Sequence, residues 1–168
     1  MKIRETNLKK FLSQKYEISN TSHRFDFDML DDYYKNELVS MYRKLGGVLN
    51  APPTSFGAWD IVTKDFIVEL DEEQHFNRYR ALTLDSEIYT EYKFFDVNLY
   101  KNYCKEFENI CLKKASRGGY WKNPNTEKQY GKASENGDFS GNGSPRWKQR
   151  AFYDFCRDIF SVSSGTPV

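Results

Sequence analysis

The sequence predicts a single domain of the α/β class, in its α+β form, and two kinds of pattern predict it. Apolar residues recur at three- and four-residue spacings along 30–45, 99–115 and 144–160, as they do in amphipathic helices. Two β-rich stretches, 59–62 and 66–71, flank a short polar turn, which is typical of a β-hairpin. A chain of 168 residues is long enough to bury one hydrophobic core.

The predicted elements begin with an N-terminal extension, residues 1–28, in which a short helix at 1–16 precedes polar, loop-like residues. The helix at 30–45 follows. Gly46 and Gly47 supply the signal that ends it, because glycine readily adopts the left-handed backbone found after helices. The hairpin comes next, and the stretch between it and the second helix has a mixed pattern.

The second half of the chain holds the other two predicted helices and a long segment between them. Residues 116–145 are rich in Gly, Asn, Ser and Lys, which predicts a basic loop that is either functional or mobile. Ser144 as N-cap and Pro145 at the first helical position predict where the last helix, 144–160, begins.

Charge is distributed unevenly along the chain. The formal net charge of +1 gives no general argument for a polyanionic partner. Residues 101–168, however, hold 12 basic and 7 acidic residues, whereas residues 1–100 hold 13 and 17. This asymmetry indicates an acidic site facing a basic surface, unless it is chance placement of solvated charge.

The cysteines and the apolar runs indicate the cellular compartment in which the protein is expected. Cys104, Cys111 and Cys156 form no C-x-x-C pair, which argues against a disulfide framework or a zinc site and favours a reducing cytosol. The N-terminus has no apolar segment of the signal-peptide type, and no run approaches the roughly 18 apolar residues of a membrane span. We expect a cytoplasmic protein with no membrane partner.

The hairpin carries carboxylates where a strand usually avoids them. Side chains alternate along a strand, so Glu69 and Asp71 share one face. With a two-residue turn at 64–65, Asp60 lies directly opposite Glu69 on that same face. Three like charges this close are tolerated when a cation lies among them, and oxygen ligands suit Mg²⁺ or Mn²⁺.

A hard divalent ion held on a strand pair can activate water, and phosphodiester hydrolysis is the natural reaction class. Gln74 and His75 follow the acidic strand and add groups that could hold water or a ligand. The alternative is that the acids form an ordinary solvated face of a sheet.

These residues resemble the PD-(D/E)XK nuclease superfamily, in which an Asp on one strand precedes a D/E-x-K on the next. The sequence here has Asp60, then Glu69-Leu70-Asp71, and then Gln74-His75. This order is similar to the very-short-patch repair endonuclease-like branch, which carries E-x-D followed by Q-H. The resemblance is tight over 57–76.

The resemblance implies one nuclease-like domain over 1–168, with a restriction-endonuclease-like core. In that core a central mixed β-sheet, whose hairpin carries the acidic site, is flanked by helices. It implies that Asp60, Glu69 and Asp71 hold Mg²⁺ or Mn²⁺. His75 would then act as general acid or base or contact the phosphate, with Gln74 beside it.

Asp71 stands where the superfamily has its catalytic lysine, and Lys148 on the last helix is the candidate to replace it. Gln149 and Tyr153 on that helix also resemble a Q-x-x-x-Y motif of recombination-type members. The core normally closes with another strand. That strand could lie within 92–100, the fold could be a variant, or a partner could complete the sheet.

A basic segment with interleaved aromatic residues follows the second predicted helix. Basic side chains track phosphates, and aromatic faces such as those of Tyr120, Trp121 and Tyr130 stack on bases. The alternative is a solvated flexible loop. The candidate nucleic-acid-binding residues are Lys113, Lys114, Arg117, Lys122, Lys128, Lys132, Arg146 and Arg150.

Together these features predict a divalent-metal-dependent deoxyribonuclease that serves in restriction, repair or phage and host defence. DNA is the expected partner, and a homodimer is one possibility. The alternative is a catalytically inactive nuclease-like domain that binds nucleic acid or a protein, which the missing lysine favours. A plain interaction module is a third reading.

Overall fold

The structure is a computed structural model that describes residues 2–20, 23–93, 96–115 and 119–168. Helices dominate it. The α-helices are α1 (Lys2–Leu12), α2 (Asp32–Lys44), α3 (Arg78–Thr83), α4 (Val97–Ala115), α5 (Pro124–Tyr130) and α6 (Pro145–Ser164). The strands are β1 (Ile61–Val62) and β2 (Ile67–Val68), and short 3₁₀ helices cover Phe27–Met29, Glu73–His75 and Glu87–Thr90.

The prediction of a restriction-endonuclease-like core with a central mixed β-sheet is wrong. Within the described ranges, helices account for 53% of the residues, strands together with isolated bridge residues account for 4%, and the sheet has two strands. The physical reason is that the β-rich stretch is too short to support a large sheet. The second strand ends at Val68, and the acidic residues begin immediately after it. Part of 92–100, considered for a further strand, is helical instead, since α4 begins at Val97; residues 94–95 lie outside the described ranges.

The predicted hairpin register is confirmed. Val62 pairs with Ile67 and Ile61 with Val68, so the turn is the two-residue loop at 64–65. Thr63 reinforces the turn, because its Oγ1 donates to the carbonyl of Phe66 at 2.7 Å. This register places Asp60 opposite Glu69, as the alternation of side chains predicted.

Both outer edges of the hairpin are covered by short extended segments. Ile18 forms a bridge with Thr63 beside β1. On the other side, the N–H of Ile67 donates to the carbonyl of Pro167 at 2.8 Å. Covered edges leave fewer unpaired backbone groups than an isolated two-stranded hairpin would.

Helix α6 lies at the centre of the molecule, and its start agrees with the prediction. Ser144 accepts a hydrogen bond from the N–H of Trp147 at 3.2 Å, Pro145 is the first helical residue, and Gly165 ends the helix with a φ of 70°. Phe152, Phe155 and Ile159 of α6 are fully buried. They belong to one core together with Leu38, Met41 and Tyr42 of α2, whose predicted extent and stop at Gly46 are also confirmed.

The segment predicted as a loop at 116–145 is partly folded into the core; residues 116–118 lie outside the described ranges. Helix α5 begins with a capping box in which Asn123 and Thr126 exchange hydrogen bonds. Trp121 is 1% exposed and packs edge-on against Trp147, 5.2 Å between ring centroids. The aromatic residues of this segment therefore serve packing. Within the described ranges, no helix has the length and apolar character to cross a bilayer.

Candidate metal centre

Three side chains from three elements converge beside the hairpin. Asp71 follows β2, His75 ends the 3₁₀ helix Glu73–His75, and Asp154 lies in the middle of α6. The Nδ1 atom of His75 is 2.9 Å from Oδ2 of Asp154 and 3.2 Å from Oδ1 of Asp71. One ligand atom from each residue lies within 4.8 Å of the other two, and we call these three residues the Asp-His-Asp cluster.

The 3₁₀ helix that carries His75 is anchored to α4 and α3. The thiol of Cys111 donates to the carbonyls of Glu73 at 2.9 Å and Phe76 at 3.2 Å. Immediately afterwards, the side chain of Asn77 caps α3 by accepting from the N–H of Tyr79 at 3.0 Å. A histidine fixed from both sides keeps its ring between the two carboxylates.

Two arginines neutralise the other acids nearby. Arg80 is 2% exposed and its NH1 lies 2.8 Å from Oδ2 of Asp158, which also accepts from the hydroxyl of Tyr89 at 2.6 Å. Arg157 places its Nε 3.0 Å from Oε2 of Glu69. Arg157 also approaches the cluster, but its NH1 is 3.7 Å from Oδ1 of Asp154, further than the Nδ1 of His75. Asp71 and Asp154 thus share His75 as their nearest cation, and Arg80 and Arg157 act on them from further away, which leaves an excess of negative charge between the two acids.

The electrostatics of the cluster reflect this excess. Burial and the charge of Asp154 raise the pKa of Asp71. Burial would raise the pKa of Asp154 as well, but His75 and the arginines outweigh it and hold that pKa below its usual range. Burial would lower the pKa of His75, yet the two carboxylates raise it to about 9. The site therefore favours a positive charge between its two acids.

A cavity of about 190 Å³ opens beside the cluster. Both acids line it, together with Arg80, Arg157 and Tyr92. The Nε of Arg80 is buried and has no hydrogen-bond partner among the described residues. The cavity thus combines an acidic corner with the side chains of two arginines.

The donor set fits a divalent transition metal. Two ligand atoms at right angles, each about 2.1 Å from an ion, lie roughly 3 Å apart. The separations of His75 Nδ1 from the two carboxylate oxygens, 2.9 and 3.2 Å, are compatible with that spacing, and without an ion they are the distances of a hydrogen bond and an ion pair between the imidazole and the carboxylates. One nitrogen and two oxygens suit Mn²⁺ or Zn²⁺ better than Mg²⁺, which prefers oxygen throughout.

The other predicted metal ligands lie beside the cluster and outside it. Oδ2 of Asp60 accepts from the N–H of Leu70 at 2.8 Å, and the N–H of Asp60 donates to Oε1 of Glu69 at 3.2 Å. Glu69 lines the cavity on the side of Arg157. The structure therefore brings Asp71 together with His75, but not with Asp60.

Two other predicted catalytic residues have different surroundings. Gln74 accepts from NH1 of Arg150 at 3.0 Å, next to His75 in the chain. Lys148 is 7% exposed, and its Nζ donates to Oδ1 of Asn142 at 2.6 Å. Lys148 does not line the cavity, so it is placed to support the loop before α6.

The predicted nucleic-acid contacts fall into two groups. Exposed lysines are Lys113, Lys122, Lys128 and Lys132. Partly engaged residues are Lys114, 3.9 Å from Glu73, Arg146, which donates to Gln149, and Arg150, which donates to Gln74. Arg117 lies outside the described ranges. Trp121 and Tyr130 are each 1% exposed, so neither can stack on a base.

The residues that sequence reasoning missed are Asp154, Asp158, Arg157 and Arg80. A signal for the first two was present, since they are four residues apart on one side of α6 and each lies three residues after an apolar position, Ala151 or Phe155. Acids at such positions are almost never buried without partners. Nothing in the pattern of α3 distinguished the buried Arg80 from the exposed Arg78 two residues earlier.

The comparison with known proteins gives a family and no activity. A family described as being of unknown function, DUF7255, matches residues 40–168, which include every residue of the cluster. No curated protein matches the chain, and no solved structure does.

Proposed function

The chain belongs to the DUF7255 family, and we propose that it is a divalent-metal-dependent phosphodiesterase acting on nucleic acid, with DNA as the expected substrate. One observation carries this proposal. The Nδ1 of His75 lies at ligand spacing from both carboxylates, 2.9 Å from Asp154 and 3.2 Å from Asp71, at the edge of a cavity. Mn²⁺ is the cofactor that the donor set favours, ahead of Mg²⁺.

Asp71, His75 and Asp154 would hold the ion, which supplies Lewis-acid activation of a phosphoryl oxygen and of water. Arg80 and Arg157 line the same cavity and are the cations nearest to the position of a bound phosphate. Glu69, kept in place by Arg157 and by the N–H of Asp60, offers an oxygen that can hold water at the cavity wall.

The surface beside the cluster suits a polyanion better than a small neutral substrate. Arg150 lies one helical turn before Asp154 on α6 and contacts Gln74, the neighbour of His75. Arg146 lies one turn further toward the start of the helix. A row of arginines that leads to an acidic site offsets the repulsion between the carboxylates and a phosphate backbone.

An inactive domain that binds nucleic acid or a protein is the second candidate. The observation that favours it is the position of Lys148, whose Nζ is bonded to Asn142. The described residues that line the cavity include no lysine. The two arginines would have to provide the positive charge that the lysine gives in the nucleases that the sequence resembles.

A plasmid-cleavage assay separates the two candidates. With Mn²⁺ we expect cleavage that EDTA abolishes and that Asp71→Asn lowers about 100-fold, because this substitution removes a charged ligand. Asp60→Asn is the matched control. It should retain activity within a few fold, since asparagine can still accept from the N–H of Leu70.

If the protein binds DNA or RNA but cleaves neither in the presence of Mn²⁺, Mg²⁺ or Zn²⁺, the result would support the inactive domain instead. Equal losses in Asp71→Asn and Asp60→Asn would contradict the assignment of the site. The ratio of nicked to linear plasmid addresses whether two copies of the chain act together, as they would in a homodimer.

A further inference from the structure

A second and larger cleft lies between residues 23–28 and 51–59. Its volume is about 590 Å³, which falls within the range of small-molecule sites. None of its lining residues belongs to the Asp-His-Asp cluster or lines the acidic cavity. The size of the cleft allows a planar heterocycle with part of its sugar to enter.

Aromatic rings form one wall of this cleft. Phe25 and Phe56 are half-buried, with ring centroids 5.4 Å apart, and Trp59 lies 5.8 Å beyond Phe56 at a near-perpendicular angle. Trp59 is held in place because its Nε1 donates to the carbonyl of His23 at 2.7 Å. A fixed wall of rings offers flat faces on which a planar ligand can stack at little cost in side-chain entropy.

The cleft also offers polar groups that can form hydrogen bonds with the edge of a planar ligand. Residues 54–58 have no regular structure, and within the described ranges their backbone groups make no backbone hydrogen bond. The hydroxyls of Thr54 and Ser55 line the cleft. These donors and acceptors are available to a planar ring with polar edges.

The charges on the rim narrow the class of ligand. Asp26 and Asp28 line the cleft against one guanidinium, that of Arg24, and all three residues are exposed. One oxygen of Asp26 accepts from the N–H of Asp28 at 3.1 Å. Carboxylates repel a phosphate in this cleft, and they accept hydrogen bonds from the amino group of a base such as cytosine.

One residue of the acidic cavity packs on the aromatic wall of the cleft. The Cζ of Arg157 lies 4.6 Å from the ring centroid of Phe56 and 5.6 Å from that of Trp59. Its Nε reaches Glu69 at 3.0 Å in the cavity wall. A ligand in the cleft is therefore separated from the acidic cavity by the aromatic wall and the guanidinium group packed on it.

We propose that the cleft binds a nucleobase with an exocyclic amino group, cytosine being the smallest, and that this base belongs to the substrate strand next to the phosphodiester that is cut. The inference rests on the proposed function for the location of that bond. The base site itself needs only the aromatic wall, the open backbone edge and the two rim carboxylates.

The test measures binding in EDTA, where cleavage cannot occur, by calorimetry or by the fluorescence of the protein. The ligands are a cytosine hexamer, a thymine hexamer and an abasic hexamer with the same phosphates, together with free cytidine and uridine. We expect the cytosine hexamer to bind about tenfold more tightly than the other two hexamers. If free cytidine binds as tightly as the cytosine hexamer, the base site is supported, and its ligand is a free nucleoside rather than a base in a strand.

Two variants keep the test independent of folding. Phe25→Leu removes a ring from the cleft wall and should weaken cytosine binding about tenfold. Phe107→Leu, on α4 and away from the cleft, is its matched control. Asp28→Asn should remove the preference for cytosine over thymine and leave binding of the abasic hexamer within twofold, since its carboxylate contacts the base.

Equal affinity for the cytosine and abasic hexamers would overturn the base site, even if the plasmid is cut. Conversely, selective cytosine binding by a protein that cuts nothing would retain the base site and overturn the phosphodiesterase. The two failures are therefore distinguishable in one set of samples.

Discussion

Replacement of Asp154 by asparagine is expected to weaken Mn²⁺ binding about 100-fold or more, because it removes one charged ligand from a set of three. Asp154 is 7% exposed and supplies the carboxylate closest to His75. Mn²⁺ binding is measured by the electron paramagnetic resonance of free Mn²⁺ at increasing protein concentration. The wild-type protein should bind one ion per chain.

The matched control for this prediction is Asp138→Asn. Asp138 is exposed and far along the chain from the cluster, and its carboxylate accepts from the N–H of Ser140 at 2.8 Å. Its removal should leave Mn²⁺ binding unchanged. Undiminished binding by Asp154→Asn, with a melting temperature like that of the wild type, would show that Asp154 is no ligand.

The largest effect on stability is expected from Arg80→Met, which should lower the free energy of unfolding by about 3–5 kcal/mol. Arg80 and Asp158 form a buried ion pair at 2.8 Å, and their side chains are 3% and 7% exposed. Methionine fills a similar volume, but it leaves Asp158 as a buried charge without its arginine. Asp158 then keeps the hydrogen bond from the hydroxyl of Tyr89. The measurement is chemical denaturation in EDTA at fixed pH.

Arg78→Met is the control, from the same helix. The side chain of Arg78 is 47% exposed and pairs with Glu108 at 2.7 Å, so its loss should cost about 1 kcal/mol or less. If the two substitutions lower the free energy of unfolding by similar amounts, burial does not determine how much the Arg80–Asp158 pair contributes to stability. The difference between the variants, rather than either value alone, is the informative quantity.

Local patterns predicted the local structure well. The register of the hairpin followed from alternation and turn length, and Val62 indeed pairs with Ile67. The extent of α2 and the start of α6 followed from apolar spacing and from the caps at Gly46 and Ser144, whereas α6 continues to Ser164, four residues beyond its predicted end. In each case the deciding interactions join residues within a few positions of one another.

The sheet was overestimated for a physical reason. The β-rich residues around Ile61 and Ile67 were interpreted through a resemblance that requires several more strands. Two strands of two residues each are what the chain forms, and a central helix, α6, fills the core in place of a sheet. The resemblance over 57–76 thus described one hairpin and did not extend to the architecture.

The cluster shows where sequence reasoning reaches its limit. Asp71 and His75 lie four residues apart; alternation along the strand singled out Asp71, and the Q-H pattern of the resemblance singled out His75. Asp154 is 79 residues further along than His75, and only the packing of α6 against the 3₁₀ helix Glu73–His75 brings it to 2.9 Å. Asp60 was predicted in the site because it faces Glu69, but its carboxylate is bonded to the N–H of Leu70.

The most direct test of the account is a crystal of the protein soaked in Mn²⁺, with anomalous difference density measured near the manganese absorption edge. We predict a peak within coordination distance of Oδ1 of Asp71, Nδ1 of His75 and Oδ2 of Asp154. The absence of a peak at those atoms, or a peak between Asp60 and Glu69 instead, would contradict the account.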